Sequence, residues 1–265
     1  MRVAAVKQNL YTVKIVSYKV LAMRKPEQAP TRTHSRARKT TGRTASPRTV
    51  RTRRTSRAEA TPYHHGALRD ALLEAAERVL ERDGLPGLTL RAVAREAGVS
   101  HAAPTHHFGD LTGLVSELAA IGFRQFNAAM AAACGGGELS MNERGMARAK
   151  AYVAYAQAHP GMYGLMFRTE RLDYSRPSLH EAAEASFAGL AGAIAAKRQE
   201  KISEDALTLD QAAAIARAWS LVHGFTMLML DGRLKDILGR LPEGNSVETL
   251  LDAMLKVAMA RMPTS

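Results

Sequence analysis

The chain has 265 residues, 46% of them hydrophobic, with a formal charge of +12 and a single cysteine. That length and composition suffice for one medium or two small cores. Lone Cys134 excludes an internal disulfide and fits a reducing cytoplasm, and no uninterrupted apolar run reaches the roughly 18–20 residues of a membrane span. The positive charge is unevenly placed. Residues 1–60 hold 16 Lys and Arg against two Glu, a net of +14, whereas the rest holds 21 basic against 23 acidic residues, a net of −2. The body of the protein is therefore near neutral, and its partners cannot be argued from the overall charge.

From the N-terminus, "YTVKIVSYKV" has a strand-like character but no nearby partner strand, and it is left unassigned. Lys25 to Ala60 is Arg, Thr, Ser and Pro with almost nothing to bury, so residues 1–60 are expected to form a disordered basic tail. Three readings of that tail stand side by side: an arm holding DNA phosphates, a start placed too far upstream (Met23 is an internal alternative), or a targeting segment.

From Tyr63 on, the pattern is helical throughout. "ALRDALLEAAERVLERDG" sets Leu68, Leu72, Ala75, Val79 and Leu80 on one face and stops at Gly84. "TLRAVAREAG" starts on Thr89 as N-cap, turns Leu90, Val93, Ala94 and Ala97 inward and ends at Gly98. Asp110 is placed to cap a long helix through "LTGLVSELAAIGFRQFNAAMAAA". Ser140 with Glu143 forms a capping box ahead of "MNERGMARAKAYVAYAQA", which closes at His159-Pro160-Gly161. A short "MYGLMF" segment precedes a helix from about Ser178 to Lys201. Thr208 with Gln211 opens "LDQAAAIARAWSLVHGFTMLMLDG", and a last helix runs from Ser246 to about Arg261. No strand pattern competes and no solenoid period is present. The fold class is therefore all-α.

The stretch "AGVSHAAPTHHF" joins two short helices as a helix-turn-helix. Gly98 supplies a left-handed residue, Val99 plugs the angle between the helices, and Ser100 is the expected N-cap of the second. That helix presents "HAAPTHH" outward while Phe108 turns inward, and it has the size of a DNA major groove. With Ser100 as cap, Pro104 falls where its missing N–H costs one bond at a frayed edge, in a first turn expected to be tightened. A metal site built from His101, His106 and His107 is not expected: their spacing straddles the helix and no cysteine is near. His64 and His65, in "TPYHHG", read either as an arm touching phosphate or as exposed imidazoles at a helix start.

The run "DALLEAAERVLERDGLPGLTLRAVAREAGVSHAAPTHHFGDLTGLVSELA" resembles the DNA-binding domain of TetR-family transcriptional regulators over about Tyr63 to Ala120. The resemblance implies a three-helix helix-turn-helix domain at 61–110 and a helical effector-binding and dimerisation domain at 111–265. It also implies a DNA interface of Thr89, Arg91, Ser100, His101, Thr105, His106, His107 and His65. "AWSLVHGFTMLMLDG" is similar to the Trp…His-Gly pattern of one C-terminal subfamily, here Trp219, His223 and Gly224, and "HPGMYGLMF" to that subfamily's short helix under the pocket. Three positions depart from the family: Thr105 replaces an aromatic residue, Leu111 a lysine and Thr112 an acidic residue. Two common phosphate contacts are thereby lost or altered.

For the C-terminal helices, Tyr155, Tyr163, Met166, Phe167, Trp219, His223 and Phe225 are the candidate lining of a pocket for an apolar small molecule, or else simply core. The helices over Leu209–Leu230 and Val247–Met259, with Ala212, Ala213, Ala214, Ala216 and Ala218, are candidates for dimerisation or for packing within one chain. "ASFAG" lacks the strand-turn-helix context of a nucleophile, and no phosphate loop or dinucleotide fingerprint occurs, so no enzyme, cofactor or metal is expected. The functional expectation is a cytoplasmic, homodimeric repressor that binds an operator in double-stranded DNA and is released by a small apolar effector. The rival readings are an architectural or non-specific DNA binder relying on the tail and, behind it, a helical ligand-binding protein or metalloenzyme with no DNA role.

Overall fold

A computed structural model describes residues 65–135, 138–203 and 206–260. Expectations for the tail and for His64 lie outside the described residues, as does the side chain of His65. The described chain is helical, with no strand in it.

Ten α-helices follow in order: α1 His65–Gly87, α2 Leu90–Glu96, α3 Ala102–Phe108, α4 Leu111–Ala132, α5 Met141–Ala158, α6 Pro160–Met166, α7 Pro177–Arg198, α8 Leu209–Leu230, α9 Lys235–Leu238 and α10 Val247–Ala260. A single 3-10 turn, Thr169–Arg171, lies between α6 and α7. The caps form largely as their residues dictate. Thr89 Oγ1 accepts from Ala92 N at 3.1 Å, and Asp110 Oδ1 accepts from Gly113 N at 2.7 Å. The boxes at Ser140/Glu143 and Thr208/Gln211 are both closed in each direction. Helical backbone in α1 is interrupted at Gly84, where the pattern stops, although the turn continues through Pro86 to Gly87. The short α9 and the 3-10 turn carry no amphipathic period and were not foreseen.

The main core is built on α4, which packs against α1, α5, α6 and most extensively α7. Leu72, Leu80, Leu114, Leu118, Met162, Tyr163, Leu165 and Leu179 are wholly out of solvent, each worth about 1.5–3 kcal/mol of transfer free energy. This cluster runs without a break from the first helix to Ala182. Two satellites adjoin it: Ala149, Val153, Phe225, Leu234, Leu251 and Leu255 join α5, α8 and α10, and Ala191, Ile194 and Ile215 join α7 to α8.

By mean hydropathy, α8 is long and apolar enough to cross a membrane, although Asp210 and Arg217 interrupt its apolar run; only 17% of its most apolar window is buried within the chain. Exposed large apolar side chains on it and on α10 include Leu209 (88% exposed), Leu228 and Val257. The C-terminal helices thus leave an apolar face uncovered.

Two glycines of α4 are places where helices touch through backbone. A Cβ on Gly113 would sit 2.0 Å from the Phe108 carbonyl oxygen, which cannot move without displacing α3. A Cβ on Gly122 would meet the flexible Met162 thioether at 2.7 Å. Gly113→Ala is therefore expected to lower unfolding free energy by about 3 kcal/mol, at the upper end of overpacking costs. Gly122→Ala, helped by the better helix propensity of Ala, should cost about 1 kcal/mol or less. Urea unfolding of the two variants measures the difference.

Candidate DNA interface and effector cluster

The turn between α2 and α3 is made as its residues require: Gly98 adopts φ 67°, and Val99 lies half-buried against the core. The start of α3 differs from expectation. His101 already has helical angles, and the Ser100 hydroxyl makes no hydrogen bond among the described residues; instead the Ser100 carbonyl accepts from Ala103 N at 3.0 Å. That three-residue bond tightens the first turn and occupies the carbonyl that the nitrogen of residue 104 would have sought in a regular helix. Pro104 thus leaves no acceptor orphaned. It is buried rather than protruding, which corrects the expectation that the whole "HAAPTHH" segment faces outward.

What α3 does expose is a stripe of His101, Ala102, Thr105 and His106, with Ser100 just before it. Ala102 was not singled out, yet helical spacing puts it beside Thr105 and His106. His107 is half-buried, its ring 5.4 Å from that of His106 and 6.2 Å from that of Phe108. Thr89 and Arg91 are exposed at the start of α2. Imidazole, hydroxyl and methyl groups in such a stripe can donate to, accept from and pack against base edges. Among the described residues, no group of three or more His, Cys, Asp or Glu is placed to hold a metal.

The end of α3 is held by contacts that local patterns cannot reveal. Arg176, just before α7, donates through Nη2 to the Phe108 carbonyl at 3.2 Å. Its Nη1 lies 3.7 Å from Glu117 of α4, and the same Glu117 receives Arg69 of α1 at 2.6 Å. The Arg69 guanidinium stands 5.6 Å over the Phe108 ring. Nearby, buried Ser116 accepts at Oγ from Asp173 N at 2.9 Å. On the other side, Arg78 and Arg82 tie α1 to Glu96 of α2, and their hydrogen bonds hold that carboxyl below the usual range. Leu111 and Thr112, two of the departures from the family, line a cavity of about 180 Å³ with Leu85, Leu88, Val115, Glu170 and Arg171.

In the C-terminal helices, four of the seven expected pocket residues come together with one that was not named. Tyr152 and Tyr163 place their hydroxyls 2.9 and 2.8 Å from His223 Nδ1 and 3.1 Å from each other. The Phe167 ring lies 4.8 Å from His223 and 6.5 Å from Trp219. Tyr152 precedes Tyr155 by three residues on α5, and the Phe126 ring sits between them at 5.0 and 5.4 Å. The remaining three residues point elsewhere. Tyr155 donates to the Gly122 carbonyl at 3.1 Å, and Met166 is sealed in the main core facing Gly122. Phe225 belongs to the α5–α8–α10 satellite. Six residues set it about 120° around the helix from Trp219 and two set it about 160° from His223, turning it toward that satellite.

Burial sets the protonation of this cluster. It pushes the Tyr152 phenol up to about 12, against the hydrogen bond with Tyr163. Burial and the neighbouring Tyr152 push Tyr163 higher still. The His223 imidazole is pushed down by burial alone. All three groups are uncharged at neutral pH, and no charged side chain contributes to any of these shifts.

Residues 72–118 match the profile of bacterial regulatory proteins of the tetR family, and residues 146–256 match a tetracyclin repressor-like C-terminal domain. That description does not itself name the Trp…His-Gly pattern carried here by Trp219, His223 and Gly224. A protein of unknown function from Rhodococcus sp. RHA1 is 34% identical, with a TM-score of 0.59 over 75% of this chain and 96% of that one. Two others share the fold: a protein assigned to the TetR family of transcription regulators from Shewanella sp. PV-4 (17% identity, TM-score 0.52, 72% and 97% covered) and a fatty acid degradation regulator from Bacillus halodurans (13%, 0.52, 76% and 96%). No match is found among proteins of curated function.

The depressed imidazole of His223 has a sign for stability. The unfolded chain takes up this proton at about pH 6.5 and the folded chain only below that, so its neutral form contributes fully above about pH 6.5 and loses ground as pH falls beneath it. The urea midpoint is expected to drop between about pH 7.5 and about pH 5.5. A His223→Gln variant, less stable overall, should show a flatter profile across the same interval.

Proposed function

The chain belongs to the TetR family of bacterial regulatory proteins, and we propose that it is a cytoplasmic, homodimeric repressor released from its operator by a small apolar effector. DNA-binding regulation of transcription is the activity of its family. The observation that carries the reading is the exposed stripe of His101, Ala102, Thr105 and His106 on a helix whose opposite face, Pro104 and Phe108, is buried. Such a helix enters the major groove with its side chains at base edges, while Thr89 and Arg91 meet the backbone.

Dimerisation is supported by the uncovered apolar face of α8 and α10. Exposed Leu209, Met227, Leu228 and Val257 are large apolar side chains of the kind an interface covers, and two-fold symmetry doubles a site that one short helix reads only in part. Release is supported by continuity: the aromatic cluster on α5, α6 and α8 shares one core with α4, and the start of α7 holds the end of α3. An effector acts by preferring the conformation whose two α3 helices are wrongly spaced, and no more strongly than that preference.

A second reading, non-specific binding through the tail, is favoured by the net +14 of residues 1–60. The two are separated by selecting duplexes from a random pool with the full chain. Replacing Thr105, His106 and His107 together by Ala is expected to weaken the selected duplex by at least about tenfold, since each good base contact is worth about 1–3 kcal/mol. Binding to scrambled DNA should be little changed. Deleting residues 1–60 should flatten the salt dependence and leave the sequence preference. An unaltered preference in the triple variant, or its absence in the full chain, would sink the regulator reading.

A further inference from the structure

We propose that the effector is an uncharged, planar, apolar molecule bearing one hydrogen-bond acceptor, which lies against Phe167 and Trp219 and accepts from Nε2–H of His223. This rests on the reading of the aromatic cluster as the effector site and adds the chemistry of what it takes.

His223 Nδ1 has two phenol oxygens within 2.8–2.9 Å and can offer either one lone pair or one N–H. The imidazole lone pair is the strongest acceptor in the cluster, and phenols donate better than they accept. One phenol proton goes to Nδ1, and the other phenol donates to its neighbour across the 3.1 Å oxygen–oxygen contact. Nδ1 is then an acceptor, and in a neutral ring the hydrogen resides on Nε2.

Nε2 makes no hydrogen bond among the described residues, and it is not one of the sealed, unsatisfied polar atoms of the protein. His223, Phe167 and Trp219 are all half-buried, so this single N–H lies in a partly open aromatic wall. An apolar wall with one aimed donor selects a planar molecule with one aimed acceptor. Net charge is selected against from both sides. No Lys, Arg, Asp or Glu perturbs Tyr152, Tyr163 or His223, so an ionised acid or amine entering here would lose hydration without gaining a counter-ion.

Trp219 is the only tryptophan of the chain and reports on the site directly. Its fluorescence is titrated in the full-length protein with four probes of one size: naphthalene, 1-tetralone, 1-naphthoate and 1-naphthylmethylammonium. The ketone is expected to bind about five- to tenfold more tightly than naphthalene, the worth of one hydrogen bond. Both ions should bind about 100-fold more weakly than the ketone. In His223→Phe the ketone should lose its advantage while naphthalene still binds. Should that variant fold poorly, nitrogen-15 shifts of His223 in the native protein report the tautomer, which must carry hydrogen on Nε2. Tightest binding by either ion, no response of Trp219 to any probe, or hydrogen on Nδ1 overturns the proposal. Release of the selected duplex is measured separately: a ketone that binds without releasing DNA counts against effector release and leaves the ligand chemistry standing.

Discussion

The backbone carbonyl of Phe108 is the point on which the geometry of the DNA-facing helix turns. The last carbonyls of any helix lack partners within it, and here the side chain is buried, so the backbone beside it has restricted access to water. Arg176 supplies the donor from a segment 68 residues away. A half-buried guanidinium is tolerable only when its charge is matched, and Glu117 matches it while also holding Arg69 over the Phe108 ring. The missing side chain of Gly113 is what lets α4 pass close enough for all of this. The orientation of α3 is thus set by the start of α7, an element of the C-terminal half.

This junction is not fully satisfied. Arg176 Nε is sealed from solvent without a hydrogen bond, and the Asp173 carboxylate stands 3.7 Å away, beyond bonding distance. A contact short of a bond is sensitive to small displacements of the segment that carries it. The aromatic cluster is the opposite case, with uncharged groups in close contact and burial fixing their protonation. Two kinds of interaction therefore serve two ends of the same core: charged and adjustable beneath α3, neutral and close-packed between α5, α6 and α8.

Much of this was legible in the residues because much of it is local. Capping boxes, the Gly98 turn and the helical periods involve neighbours within four positions, and they formed where expected. Ser100 failed as a cap because Pro104 shifts the bonding of the first turn, making the three-residue bond to the Ser100 carbonyl the better use of that group. Phe225 was assigned to the wrong wall because an apolar residue on a helix apolar nearly all round does not announce which side it faces. Tyr152 escaped notice for the related reason that two tyrosines three positions apart share a stripe, and only packing decides which reaches His223. Arg176 gave no signal at all: an arginine before a helix becomes a support for α3 only through contacts distant in sequence.

α3 sits between two glycines with left-handed angles, Gly98 at φ 67° and Gly109 at φ 82°, neither of which brings other atoms near its missing side chain. Of the residues between them, Pro104 and Phe108 are buried, Val99, Ala103 and His107 are half-buried, and Ser100, His101, Ala102, Thr105 and His106 face outward. Folding information and recognition information are therefore written in different letters of the same short word. A lineage carrying this frame is free to acquire a new DNA target by rewriting the outward letters alone, while the core that supports them goes on reading the same text.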